Sequence, residues 1–126
     1  MNVPVDLKYT KSHEWVRVDG DTAVIGITDH AQSELGDVVF IDLPNVGRHL
    51  GAAESFCTVE SVKTVSDVYS PIAGEVTAVN ETLGAQSELV NSDPYGDGWL
   101  VKIKLDDAGS LEGLLSAEGY SASLND

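Results

Sequence analysis

Apolar and polar residues alternate in short runs over most of this chain, and turn residues break the pattern before a long helix can form. Residues 8–18 (KYTKSHEWVRV) read as one extended segment, with Trp15 and its β-branched neighbours suited to a pleated surface. The turn Asp19-Gly20-Asp21 separates it from a second strand at 22–28 (TAVIGIT), so the two are expected to form a hairpin. At 28–32 (TDHAQ) a short helix is expected: Thr28 or Asp29 offers an N-cap oxygen, and Gln32 stands where it would complete a capping box from Asp29. Gly36 then ends it as a left-handed C-terminal residue.

Further strands are expected at 37–43, bounded by Pro44-Asn45, and at 55–62 (SFCTVESV). The chain returns at 65–68 after a tight turn around Lys63, and strands at 74–79 and 99–105 follow, joined by a turn-rich link that includes 91–98 (NSDPYGDG). Leu111, Leu114 and Leu115 lie at helical spacing, with Ser110 and Ser116 as caps, which predicts one or two short C-terminal helices. The expected fold is therefore mainly β, a sandwich or barrel hybrid whose two sheets share a core at about 8–105, with a short internal helix and a helical segment at about 110–124.

The 126 residues suit one domain, and the hydrophobic share of 42% is enough to fill a core. The single cysteine, Cys57, has no internal disulfide partner and points to a reducing compartment. No apolar run approaches the roughly 20 residues that cross a bilayer. The opening MNVPVDLKYT carries no visible targeting sequence, so the expected location is the cytoplasm, or the mitochondrial matrix if the chain is already processed. A net charge of -14 opposes phosphate backbones and anionic lipid, which disfavours nucleic acid and membranes and favours protein partners with basic patches.

The most informative stretch is VESVKTVSDVYSPIAGEV, residues 59–76, where Lys63 interrupts two β-rich runs. A lysine at a hairpin tip stands clear of the fold for a modifying enzyme while rigid strands fix its place. From spacing alone, a solvated turn lysine is the commoner reading. The residues Glu60-Ser61-Val62-Lys63, then Ser66-Asp67-Val68 and Ser70-Pro71-Ile72-Ala73-Gly74-Glu75-Val76, however, resemble the lipoyl-attachment signature of the glycine cleavage H-protein family. The resemblance extends to Ser12-His13-Glu14-Trp15-Val16, to Gly26-Ile27-Thr28-Asp29-His30-Ala31-Gln32, to Leu35-Gly36-Asp37-Val38-Val39, and to Asn91-Ser92-Asp93-Pro94-Tyr95 with Gly98-Trp99. It covers nearly the whole chain in family order.

That resemblance implies a single lipoyl-carrier domain over 1–126, lipoyl-domain-like in fold, with lipoate bound covalently to Lys63. It implies a non-catalytic shuttle that takes an aminomethyl group from the pyridoxal-phosphate enzyme glycine decarboxylase to aminomethyltransferase. The reduced arm is then delivered to dihydrolipoamide dehydrogenase, and a lipoate-attaching enzyme is a fourth partner of this monomer. Matching family positions put Ser12, Glu14 and Asp67 in a cleft that holds the loaded arm, where carboxylates suit a cationic amine. The alternatives are a lipoyl domain of a 2-oxo acid dehydrogenase complex, which lacks the Ser-His-Glu-Trp segment, and a lipoate-relay or interaction module. Biotin is disfavoured because Val62 and Thr64, not methionines, flank Lys63.

Other chemistry is weaker. His13, His30 and His49 are not at a zinc-binding spacing, so no metal site is expected. Cys57 sits in an apolar strand and reads as core, although an enzyme using Cys57 or His30 is the competing hypothesis. Trp15, Tyr69 and Trp99 read first as packing residues.

Overall fold

The computed structural model describes residues 3–107, 111 and 113–124. Its strands are β1 (Lys8–Tyr9), β2 (Glu14–Asp19), β3 (Thr22–Ile27), β4 (Val38–Asp42), β5 (His49–Leu50), β6 (Ser55–Ser61), β7 (Val65–Tyr69), β8 (Gly74–Val79) and β9 (Val101–Leu105). The helices are α1 (Asp29–Leu35), α2 (Leu89–Ser92) and α3 (Ala117–Leu124), with a 3-10 turn at Glu81–Gly84. One sheet has six strands in the order β1-β2-β3-β9-β8-β5 and the other has three in the order β4-β6-β7, every pairing antiparallel. The mainly β, two-sheet architecture agrees with the pattern of short alternating runs.

Alternation drives this arrangement. Val16, Ile25, Val76 and Ile103 of the larger sheet and Ile41, Val59 and Val68 of the smaller one are buried in one shared core. A second cluster joins Tyr9, Trp15, Tyr95 and Tyr120, with the Tyr9 and Tyr120 rings stacked at 4.7 Å. Trp15 faces Gly26 across the β2–β3 ladder, where a Cβ on Gly26 would meet the indole at 2.7 Å, so glycine is what admits the tryptophan. Trp15 Nε1 donates to the Pro94 carbonyl at 2.9 Å, tying the turn-rich link to the sheet. Cys57 is buried as expected, and burial pushes its thiol up to about 12.

Three local expectations need correction. The single extended segment at 8–18 is split: Thr10 N donates to the Glu14 carbonyl, His13 N to the Thr10 carbonyl, and His13 takes φ 74, closing a tight turn between β1 and β2. The strand expected from 99 begins at Val101, because Trp99 N bonds back to the Gly96 carbonyl within the preceding turn. Leu115 is not helical but pairs with Tyr9 by hydrogen bonds in both directions, and α3 starts only at Ala117. Ser116 does serve that helix start, its hydroxyl accepting from Gly119 N at 3.1 Å, whereas Ser110 lies outside the described residues. β5, the 3-10 turn and α2 arise in stretches without periodicity. No helix among the described residues is long and apolar enough to cross a membrane.

Candidate functional site

The β6–β7 hairpin presents Val62-Lys63-Thr64 at its tip, with Glu60 paired to Val65 as the last rung. Ser61 shapes the turn. Its hydroxyl accepts from Lys63 N at 3.3 Å and Thr64 N at 3.1 Å, while Ser61 N donates to the Thr64 carbonyl at 2.8 Å. Val62 N donates to the Asp37 carbonyl at 3.0 Å, which fastens the tip to the entry of β4. Lys63 is exposed, and a Cβ on Gly36 would stand 3.4 Å from its Cε. Gly36, at φ 77 and ψ -156, thus both ends α1 in a glycine-only backbone region and leaves room under the lysine stem.

Beside this tip lies a cleft of about 240 Å³ between the β1–β2 turn, α1 and the hairpin. Its floor is apolar, made by Ile27, Ala31, Leu35, Val59 and Val68. Ser12, Glu14 and Asp67 all line it, as does Thr64, the neighbour of Lys63. The structure therefore brings the sequence-predicted residues together, although Ser12 comes from the β1–β2 turn, Glu14 from the start of β2 in one sheet and Asp67 from β7 in the other.

Glu14 is the buried member, only 2% exposed. Thr10 Oγ1 and Ser12 Oγ each donate to its Oε1 at 2.7 Å, and the backbone of Tyr69 adds a further hydrogen bond. Burial pushes the carboxyl above its ordinary value, and these three bonds pull the other way. A buried but hydrogen-bonded carboxylate is poised to pair with a small cation. Asp67, on the neighbouring wall, is exposed.

Sequence reasoning missed four members of this neighbourhood. Thr10 and Ser61 act by hydroxyl bonds to their own turns, a signal present in the sequence as Ser or Thr near a chain reversal. His13 and Glu34 also line the cleft. His13 Nδ1 bonds the Tyr120 hydroxyl at 2.8 Å, and that hydroxyl lies 2.7 Å from Thr28 Oγ1, the N-cap oxygen that accepts from Ala31 N. Burial first, then the His30 ring 4.5 Å away, holds His13 below its ordinary value. His30 is 3.7 Å from Glu34, and His49 bonds Asp106 well away from the cleft lining. Among the described residues, no group of three or more His, Cys, Asp or Glu is placed to hold a metal ion.

Residues 7–126 match the family model described as Glycine cleavage H-protein. The chain is 57% identical over 125 residues to a protein of Bacteroides thetaiotaomicron named glycine cleavage system H protein, covering 99% of both chains. It is 61% identical over 122 residues to the protein of that name from Chlorobium phaeobacteroides, covering 95% of both. Among solved structures, a glycine cleavage system H protein from Mycobacterium marinum superposes with a TM-score of 0.90 at 37% identity, covering 98% of this chain and 100% of that one.

Proposed function

The chain belongs to the glycine cleavage H-protein family, and from that premise we propose that Lys63 carries the lipoyl group while the cleft of Ser12, Glu14 and Asp67 receives the loaded arm. The protein works as the lipoyl-carrying shuttle of the glycine cleavage system. That membership displaces the reading as a lipoyl domain of a 2-oxo acid dehydrogenase complex. In the proposed cycle, the carrier visits glycine decarboxylase, aminomethyltransferase and dihydrolipoamide dehydrogenase, after a lipoate-attaching enzyme has acted on it. The whole of 1–126 acts as one non-catalytic carrier domain and as a monomer. Its relatives named above are bacterial, and we place its work in the cytoplasm.

The observation that carries this reading is the meeting of an exposed hairpin lysine with an acidic, apolar-floored cleft beside it. When attached, lipoate supplies a sulfur that accepts the aminomethyl cargo. The chain's own residues do the rest. Ser61 fixes the backbone from which the arm departs, so the cargo's reach is set by a rigid hairpin. Ile27, Leu35 and Val68 offer an apolar surface for the arm's carbon chain. Glu14 and Asp67 pair with the cationic amine and keep it protonated, which denies it the lone pair that would expel the sulfur.

Intact mass after production with lipoate, followed by peptide mapping, tests the assignment. The lipoyl increment is expected on Lys63 alone, and Lys63→Arg should abolish it, since guanidinium offers no acylatable amine. An increment retained by Lys63→Arg overturns the central assignment.

A further inference from the structure

Glu14 is reached from a second side. Ser12 and Glu14, which line the cleft, also line a separate open chamber of about 450 Å³ whose other walls include Thr10, Ala52, Tyr69 and Pro71. The two hollows share only Ser12 and Glu14, which therefore border both. Glu14 is 2% exposed, yet the chamber that it lines is open and is also lined by the exposed Ala52 and by Tyr69, a residue 40% exposed. Both turns that frame the chamber are held: Ala53 sits at φ 68 with its N–H on the Ser70 carbonyl at 2.7 Å, and Ser70 N returns a bond to the Glu54 carbonyl at 2.8 Å. The hollow is a built feature of the β5–β6 and β7–β8 connections.

We propose that this chamber is a second solvent port to Glu14, by which water reaches, and ammonium leaves, the cargo end of the cleft while the arm fills the cleft from the other side. The inference rests on the reading of the cleft as the arm's seat. An arm lying on the apolar floor covers the cleft side of Glu14 but not the side it presents to the chamber. Breakdown of the cargo balances with one water: the protonated aminomethyl thioether and water give free thiol, formaldehyde and ammonium. Water must enter and a small cation must leave for this to proceed. A port lined by a carboxylate and the hydroxyls of Thr10 and Ser12 suits both.

Two opposed substitutions test the port, each read in two ways. Ala52→Phe places a ring in the chamber and Tyr69→Ala widens it while keeping the backbone bond to Glu14. In the lipoyl-free protein, the Glu14 carboxyl is titrated by carbon NMR: Ala52→Phe should raise its midpoint and Tyr69→Ala should lower it, because the chamber supplies its water. In the loaded protein, ammonia loss followed by intact mass should slow by roughly threefold in Ala52→Phe and speed up in Tyr69→Ala. Unchanged midpoints in both variants show that the chamber does not wet Glu14 and overturn the proposal. Shifted midpoints with unchanged ammonia loss overturn it as a route. Failure of the cleft reading is distinguishable, because then Glu14→Ala would itself leave ammonia loss unchanged.

Discussion

At the scale of single residues, Glu14 carries the sharpest consequences, because burial works against its charge and three hydrogen bonds work for it. With the arm seated as proposed, removing the carboxylate takes away the buried one of the two acids assigned to the cargo's ammonium and leaves Asp67. Glu14→Ala is therefore expected to speed loss of ammonia from the isolated loaded carrier by about tenfold, in keeping with the loss of one charge-assisted bond worth roughly 1.5 kcal/mol. Equal decay in the two proteins would remove Glu14 from the cleft's function. The raised titration point also has a stability consequence of definite sign. A carboxyl whose folded value lies above its unfolded one binds more protons when folded, so its contribution is fully present below the ordinary value of 4.5 and is lost as pH rises through the folded value. Glu14→Gln cannot ionise, so its urea stability relative to the parent should improve between pH 4 and pH 7 (about the range over which such a group ionises). A constant difference across that range would show that the hydrogen bonds cancel the burial cost. Spacing alone marked Lys63 only as a lysine at a turn between two strand-like runs, and the carrier reading of Lys63, like the cleft reading of Ser12, Glu14 and Asp67, came through family resemblance. It could not expose Tyr120, which meets His13 across 107 positions, since no local pattern encodes a contact at that separation.

At the scale of elements, the hairpin tip depends on one hydroxyl and one glycine. Ser61→Ala leaves the N–H groups of Lys63 and Thr64 without their side-chain acceptor, at a cost of about 1 kcal/mol. Its more telling effect is a loosened tip: amide exchange at Thr64 should quicken and lipoylation at low carrier concentration should slow, while the rest of the exchange map is unchanged. If Thr64 exchange is unaltered, the hydroxyl does not fix the turn. Gly36→Ala forces a side chain into φ 77 and ψ -156 and should cost about 1–3 kcal/mol in denaturant unfolding. A cost near zero would mean that the α1–β4 junction relaxes freely. Alternation made β3, β4, β6, β7, β8 and β9 legible to within a residue or two, because each puts one face on the shared core, whereas β2 was read as part of a longer segment that began at residue 8. The β1–β2 turn was hidden because His13 occupies a left-handed conformation with no glycine to announce it, and Thr10 closes the reversal through its side chain. α2 escaped because its four residues are too few to show a helical period.

At the scale of the whole molecule, a carrier with net charge -14 must find several enzymes without lingering on any of them. Some of the acids stand at the working end: Asp37 and Glu60 are exposed beside the Lys63 tip, with Asp42 and Asp67 exposed further along the same sheet on the rung through Thr58, and Lys63 is itself neutralised when acylated. Such a field raises encounter rates with basic entrance surfaces more than it lengthens the docked state, since long-range attraction acts before contact and short-range packing sets departure. The exposed Val39, Phe40, Val62 and Val65 near the tip supply that packing in modest amount. Screening separates the two contributions. At about 0.15 M salt the screening length is roughly 8 Å, so added salt weakens steering while leaving apolar contact largely intact. Rising ionic strength is therefore expected to raise the apparent KM for the lipoylated carrier in reoxidation by dihydrolipoamide dehydrogenase, with little change in kcat. Free dihydrolipoamide, which is neutral and lacks the acidic body, serves as the control for direct effects of salt on the enzyme. If carrier and free dihydrolipoamide respond in parallel, the acidic surface keeps the protein dispersed and does not guide it, and steering is ruled out as the means by which the shuttle meets this partner.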